Sequence, residues 1–241
     1  MIKLTEYVDK IYESINDKNL FKAVFLCGGP GSGKSFIGEL VLSGLGTNTV
    51  NSDIMFEALM KTNNISMKID KSKPDIIKIQ DELRERAKKF AKFRETQWIN
   101  GMLPIILDGT GKDYHKIEKL YMTLTDRGYD CSMIFVNTTL DVALERNRKR
   151  DRTVPEDAAT SMWKAVQNNI GGFQKLFGNN DFYIIDNSKK LDEKEIKELS
   201  KRLTKIGIKL INSPLKNPKG KLIIDKLKEI GGKYLSDLVD A

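Results

Sequence analysis

One histidine in 241 residues, His115, rules out a histidine-based triad or a multi-histidine metal site. Catalysis must therefore rest on carboxylates, lysines and arginines. Two cysteines, Cys27 and Cys131, are too few for a disulfide framework. Both sit in apolar, strand-like runs, where cysteine serves as a small core residue in a reducing compartment. Nothing approaches roughly 18 consecutive apolar residues, so no membrane span is expected. The opening Met1-Ile2-Lys3-Leu4-Thr5-Glu6-Tyr7 lacks a charged segment leading into an apolar one, so no secretory leader is expected. These absences describe a cytosolic protein.

What is present suits an α/β domain that handles anions. Forty per cent hydrophobic residues supply a sizeable core, and a formal charge of +8 favours a nucleotide, nucleic acid or other phosphorylated partner. Short apolar runs alternate with longer amphipathic stretches, the pattern of a doubly wound parallel sheet flanked by helices. Five strands are expected, at 22–27, 49–53, 103–107, 131–137 and 181–185. Helices are expected at 34–43, from 54, at 75–100, 113–127, 140–150, from the capping-box pair Thr153 and Glu156 to 169, and at 191–206. Along 75–100, Ile76, Ile79, Leu83, Ala87, Phe90 and Phe93 mark an apolar face. Residues 1–208 form the expected main domain and 209–241 a short helical tail with two prolines and a Gly-Gly break.

Gly28-Gly29-Pro30-Gly31-Ser32-Gly33-Lys34-Ser35 satisfies the pattern of a phosphate-cradling P-loop. Its glycines let backbone N–H groups turn towards phosphate oxygens. Lys34 supplies charge to the β- and γ-phosphates and Ser35 can ligate Mg²⁺. The loop follows an apolar strand and opens a helix whose N-terminus faces the anion. In a doubly wound sheet, ligands bind beyond the carboxyl ends of the strands. Asp53 and Asp108 end the second and third expected strands there. Phosphoryl transfer needs one carboxylate to take the acceptor's proton, assigned to Asp53, and one near Mg²⁺, assigned to Asp108. Each can instead be a simple helix or turn cap. Residues 146–155 form a cation-rich lid in which Arg146 and Arg150, four apart, would share a helix face and clamp the transferring phosphoryl group. A plain solvated basic face is the alternative.

The P-loop, Asn51-Ser52-Asp53 and the lid resemble the kinase domain of phage polynucleotide kinase and the related zeta-toxin kinases. The more specific stretch is Arg146-Asn147-x-Lys149-Arg150, Val154-Pro155-x-Asp157 and Ser161-Met162-x-Lys164. The resemblance covers residues 22–190. It implies that Asp53 is the general base, that Arg146 and Arg150 bind phosphate, that Lys34 and Ser35 hold ATP and Mg²⁺, and that Asn187 in Asp186-Asn187-Ser188 flanks the adenine. It implies a hydroxyl acceptor on a polynucleotide end, a nucleotide or a modified base, and the host cytoplasm as location if the protein is phage-encoded. The chain departs from the phage enzyme in having no arginine within 54–58 and no D-x-D-x-T phosphatase signature. The Gly28-Gly29 and Gly109-Thr110 pairs are similar to zeta toxins, which implies a UDP-amino sugar as the alternative acceptor. A nucleotide-driven switch or ATPase without an acceptor is the third reading.

Arg84, Lys88 and Lys92 form a basic stripe, either solvated or facing a phosphorylated acceptor. Trp98 is expected in the core; Trp163 is expected to pack or to stack on a base. The tail is open to a protein or nucleic-acid partner.

Overall fold

The structure, a computed structural model, describes residues 19–67, 74–150 and 153–239, with side chains to residue 231. The leader reading on the first residues, positions 151–152 of the expected lid and the last tail side chains lie outside this range. The elements run β1 (Lys22–Cys27), α1 (Lys34–Leu42), β2 (Asn48–Val50), α2 (Ser52–Thr62), α3 (Pro74–Asn100), β3 (Ile105–Gly109), α4 (Tyr114–Asp126), β4 (Asp130–Asn137), α5 (Leu140–Arg148), α6 (Glu156–Phe177), β5 (Phe182–Asp186), α7 (Glu193–Asn212) and α8 (Pro218–Val239).

All strand pairings are parallel, in the order β2-β3-β1-β4-β5. The central strand β1 is buried throughout, as a strand covered on both faces should be. Its alternation divides the core. Ala23, Phe25 and Cys27 join Leu124, Phe173 and Phe177 of α4 and α6 on one face. Val24 and Leu26 join Ile37, Val41, Leu203 and Leu210 of α1 and α7 on the other. The α1–α7 contact is close enough that a Cβ on Gly207 would lie 1.9 Å from the Val41 carbonyl oxygen. With β1 central and both neighbours parallel, the carboxyl ends of β1, β3 and β4 open on one rim.

Several expected boundaries move, each for a local reason. Strand β2 stops at Val50 because Asn51 caps α2, its Oδ1 accepting from the Asp53 and Ile54 N–H groups. Asp53 thus lies in the first helical turn instead of ending a strand. Strand β3 runs on to Gly109 and takes in Asp108. Thr153 and Glu156 form no capping box: Pro155 is the N-cap of α6, and Glu156 pairs with Arg148. Helix α6 continues through Gly171-Gly172 to Phe177, because Gly172 lets Tyr114 pack close, 2.7 Å from where a Cβ would stand. Helix α7 extends to Asn212, where Leu210 and Ile211 are buried. Gly231-Gly232 does not break α8.

The apolar face expected on α3 is shared out differently. Leu83 and Ala87 pack against Phe56 and Met60 of α2, while Ile79, Phe90 and Phe93 are exposed. Trp98 packs on the main core with the Arg94 guanidinium 4.9 Å from its ring centre. After α7 the chain docks at the amino ends of the strands. Asp130 accepts from the Lys216 and Asn217 backbone N–H groups, and Gly220 sits directly on Gly128.

Candidate active site

The P-loop occupies the turn between β1 and α1, with Gly33 in the left-handed region as the helix N-cap. Its glycines are required by the protein around them as much as by a ligand. A Cβ on Gly31 (φ 76°) would stand 2.1 Å from the Ala143 carbonyl oxygen of α5, and one on Gly33 (φ 83°) 2.3 Å from the Asn187 amide. Both positions also need the positive φ that only glycine adopts freely. Ser32 is 1 % exposed and its hydroxyl has no hydrogen-bond partner among the described residues. It lies 2.7 Å from where a Gly28 Cβ would be. An orphaned hydroxyl beside a glycine-lined hollow suits a nest for phosphate oxygens.

Four neighbouring elements hold this loop. The Gly28 N–H donates to the Thr110 carbonyl at 3.2 Å, tying β1 to the turn after β3. Asn187, at the end of β5, is 7 % exposed, and its amide donates to the Ser32 carbonyl at 2.8 Å. Its own carbonyl accepts from the Arg146 guanidinium at 2.8 Å. Arg146 thereby reaches the P-loop from α5, near Gly33. Trp163 of α6 is half-buried, lies over Gly29 and donates from its indole N–H to the Thr138 carbonyl at 2.9 Å.

The carboxylates meet on the β3 side. Asp108 accepts from the Asn51 amide at 2.6 Å, and the same Asn51 caps the turn that carries Asp53. One asparagine therefore holds the Asp108 carboxylate and the backbone of the turn that carries Asp53. Burial pushes the Asp108 carboxyl above the ordinary carboxylate range; the Lys34 charge and the Asn51 hydrogen bond pull it down, and the Asp53 charge pushes it up again. Lys34 and Asp53 are thus each within electrostatic reach of Asp108. Ser35, Asp108 and Asn51 line one cavity of about 500 Å³. A hydroxyl and a partly buried carboxylate raised in pKa are a donor set that a hard divalent cation would relieve, with phosphate and water oxygens completing it. The residues present therefore fit Mg²⁺.

The lid is organised by Asn147, which the sequence shows within the lid stretch without marking its role. It is 1 % exposed, and its amide both donates to the Val154 carbonyl (2.6 Å) and accepts from the Val154 N–H (3.1 Å), which ties α5 to the residue just ahead of α6. Because α5 ends at Arg148, Arg150 lies beyond the helix and does not share a helical face with Arg146. It is exposed, and its backbone N–H donates to the Asn147 carbonyl at 3.2 Å. Arg148 forks onto Glu156. On the long helix, Arg84 leaves the expected basic stripe by stacking on Phe56, 4.3 Å from its ring centre. His115 is exposed beside Glu118. Asn169 was also missed; its amide donates to the Gly111 and Lys112 carbonyls and so holds the turn after β3.

The model of the AAA domain family matches residues 24–172, more than half of the chain. The chain belongs to the AAA domain family. Its P-loop on β1 and its 2-3-1-4-5 parallel sheet make this AAA domain kinase-like in architecture. Among solved structures it is similar to the complex of AvrRxo1-ORF1 with AvrRxo1-ORF2 determined with ATP: TM-score 0.55, 15 % identity, 83 % of this chain and 70 % of that one. It is also similar to the PezAT chromosomal toxin–antitoxin system of the human pathogen Streptococcus pneumoniae, with TM-score 0.51, 12 % identity and coverage of 97 % and 95 %. The Pnkp1/Rnl/Hen1 RNA repair complex matches at TM-score 0.49 and 18 % identity over 66 % of this chain. This AAA domain spans about half of that chain, 48 %. At these identities the likeness is one of fold. No curated protein matches the sequence significantly. Among the described residues, no helix is long and apolar enough to cross a membrane.

Proposed function

We propose that this AAA domain is an ATP-dependent phosphotransferase that moves the γ-phosphate to an alcohol group, on a polynucleotide end, a nucleotide or a modified base. The observation that supports the reading is Asn51, whose amide donates to the Asp108 carboxylate while its carbonyl caps the helical turn that carries Asp53, close enough for the Asp53 charge to act on Asp108. A nucleotide binder needs the nest alone; a second carboxylate held beside it suits proton removal from an acceptor.

In this reading the Asp53 carboxylate orients the acceptor hydroxyl and takes its proton. The acceptor oxygen then bonds to the γ-phosphorus as the bond from that phosphorus to the β–γ bridging oxygen breaks, releasing ADP. The backbone N–H groups of the nest and Lys34 hold the β- and γ-phosphate oxygens, and Arg146 and Arg150 neutralise charge from the lid side. Mg²⁺, held by Ser35 and through Asp108, supplies further charge neutralisation when bound. Asn187 is read as a positioning residue that fixes Ser32, in addition to its expected place beside the adenine.

The test is labelled ATP offered with 5′-hydroxyl oligonucleotides, nucleosides, nucleotides and UDP-amino sugars. Label is expected in an alcohol acceptor, and Asp53→Asn is expected to slow transfer by about 10²–10⁴-fold while ATP still binds. Label transferred to the UDP-amino sugar alone would replace the acceptor class. Label recovered only as inorganic phosphate, with Asp53→Asn as active as the parent, would leave a nucleotide-driven switch.

A further inference from the structure

Helix α7 cannot roll on the body of the protein. Leu203, Leu210 and Ile211 bury its inner face, and Asp192 and Glu195 close a capping box over its first turn. Its outer face is therefore always presented to solvent. That face carries Lys197, Lys201, Lys205 and Lys209, each four residues after the last and all exposed. At about 1.5 Å of rise per residue the four stand about 6 Å apart, in a gently inclined row about 18 Å long. Lys194, also exposed, extends the row by one turn towards the carboxyl rim of the sheet.

Lysines elsewhere on the surface are paired: Lys88 with Glu85, Lys149 with Glu145 and Lys216 with Asp181. Among the described residues, Lys194, Lys197, Lys201 and Lys205 form no ion pair, although Glu193 precedes Lys197 by the four residues at which Glu145 holds Lys149. Like charges four residues apart destabilise a helix, and the row repeats that spacing three times. Core packing and the capping box hold the helix against this repulsion. An anion lying along the row would relieve it.

The shape of the row selects the anion. A small phosphate would meet one or two of these lysines on an open surface, whereas a linear polyanion meets all of them. One strand of duplex DNA presents a phosphate about every 3.4 Å of axis, so the row spans several in succession. One acid, Glu198, shares this side of the helix. The large apolar side chain exposed along the row is Ile208, which is too little to insert into a lipid surface or to build the centre of a protein interface. Lysines hold phosphates as point charges and leave base edges unread.

We infer that the outer face of α7 docks the phosphate backbone of nucleic acid without regard to sequence. This goes beyond the kinase reading and does not depend on it, since the row points outward from α7 while Asp108 stands near the end of β3.

Binding of a fluorescein-labelled DNA duplex of about 20 base pairs, phosphorylated at both 5′ ends, is followed by anisotropy on the full chain at several salt concentrations. For four contacted phosphates, log Kd should rise with log salt at a slope of about 3.6, a loss on the order of a hundredfold between about 50 and 200 mM. Lys197→Ala/Lys201→Ala/Lys205→Ala should weaken binding at least about tenfold at the low-salt end and lower the slope by about 2.7. Lys61→Ala/Lys89→Ala/Lys175→Ala removes the same charge from exposed positions elsewhere and should bind as the parent does. Arginine at the three row positions should keep binding, and a duplex of unrelated sequence should bind equally well. The thermal midpoint of the row variant should not fall, because repulsion along the helix has been removed. No duplex binding by the parent at low salt, unchanged binding in the row variant, equal weakening in the control, or strong preference for one sequence would overturn the inference. So would vesicles of phosphatidylserine and phosphatidylcholine that hold the parent as tightly and release the row variant, since the row would then belong to a lipid surface. Failure of the kinase reading looks different: label then reaches only inorganic phosphate, and duplex binding is unaffected.

Discussion

At the amino ends of β1 and β4 the chain is closed by charge, whereas at the carboxyl ends the loops around the phosphate nest are held by neutral amides. Lys22, 2 % exposed, pairs with Asp130 at 2.8 Å; Lys216 forks onto Asp181; Lys219 pairs with Asp126. On the opposite rim, Asn51, Asn147, Asn169 and Asn187 each bind backbone groups of another segment or cap a helix there. An amide can donate and accept at once without adding net charge. Where a polyanion must bind, such staples fix the backbone and leave the field to Lys34, Arg146 and the two aspartates. At the amino ends, full charges pair with each other instead.

Breaking the charged end should have the largest effect. Asp130→Ala would leave Lys22 buried without its partner and strip the acceptor from the Lys216 and Asn217 N–H groups. Removing one member of a buried pair costs about 3–5 kcal/mol, so the urea midpoint should fall steeply. Phosphoryl transfer by the fraction that remains folded at low temperature should be unchanged, since the site lies at the other rim. A lost activity at full folding would mean that the two ends are coupled.

Breaking an amide staple should cost less stability and more function. Asn187→Ala removes the donor to the buried Ser32 carbonyl, which costs about 1–3 kcal/mol in stability. Because Ser32 belongs to the nest, nucleotide affinity should fall as well, which an ATP titration of the folded variant would show. An unchanged ATP affinity would mean that the loop keeps its shape without the amide.

The difference between the ends also explains what was readable in the sequence. The P-loop is contiguous, and the parallel order follows from apolar runs alternating with helical ones, so both were legible. Asp108 was placed on the correct rim because β3 carries it there. The staples were not legible, because Asn51 acts on Asp108 across 57 positions and Asn187 on Ser32 across 155. No local pattern marks an asparagine whose partner is a distant carbonyl. The cap by Asn51 was the accessible clue, since Asn before a helix is a common N-cap. The shared helix face expected for Arg146 and Arg150 fails for the opposite reason: a helical spacing does not extend past Arg148, where α5 ends.

The smallest expected effect comes from the two cysteines, which sit at opposite ends and so report on each. Cys27 closes β1 beneath Gly111, and Cys131 lies near the start of β4 with the Thr125 hydroxyl directed at its sulfur. Burial pushes each thiol from 9.0 up to about 12. At pH 8 that leaves about a thousandfold less thiolate than in an exposed cysteine, so a thiol reagent should label the native protein only through local opening. Nucleotide should slow labelling of Cys27, which feels the Lys34 charge, and leave Cys131 unaffected. Equal slowing at both would show that ligand tightens the whole sheet. The sign of the pH effect follows from the same burial. Above about pH 9 the unfolded thiols lose protons that the folded thiols keep, so the unfolded state binds fewer protons and stability falls as pH rises. Replacing both cysteines by alanine should flatten that decline, and a slope between pH 8 and 10 that the double variant retains in full would assign it to other groups.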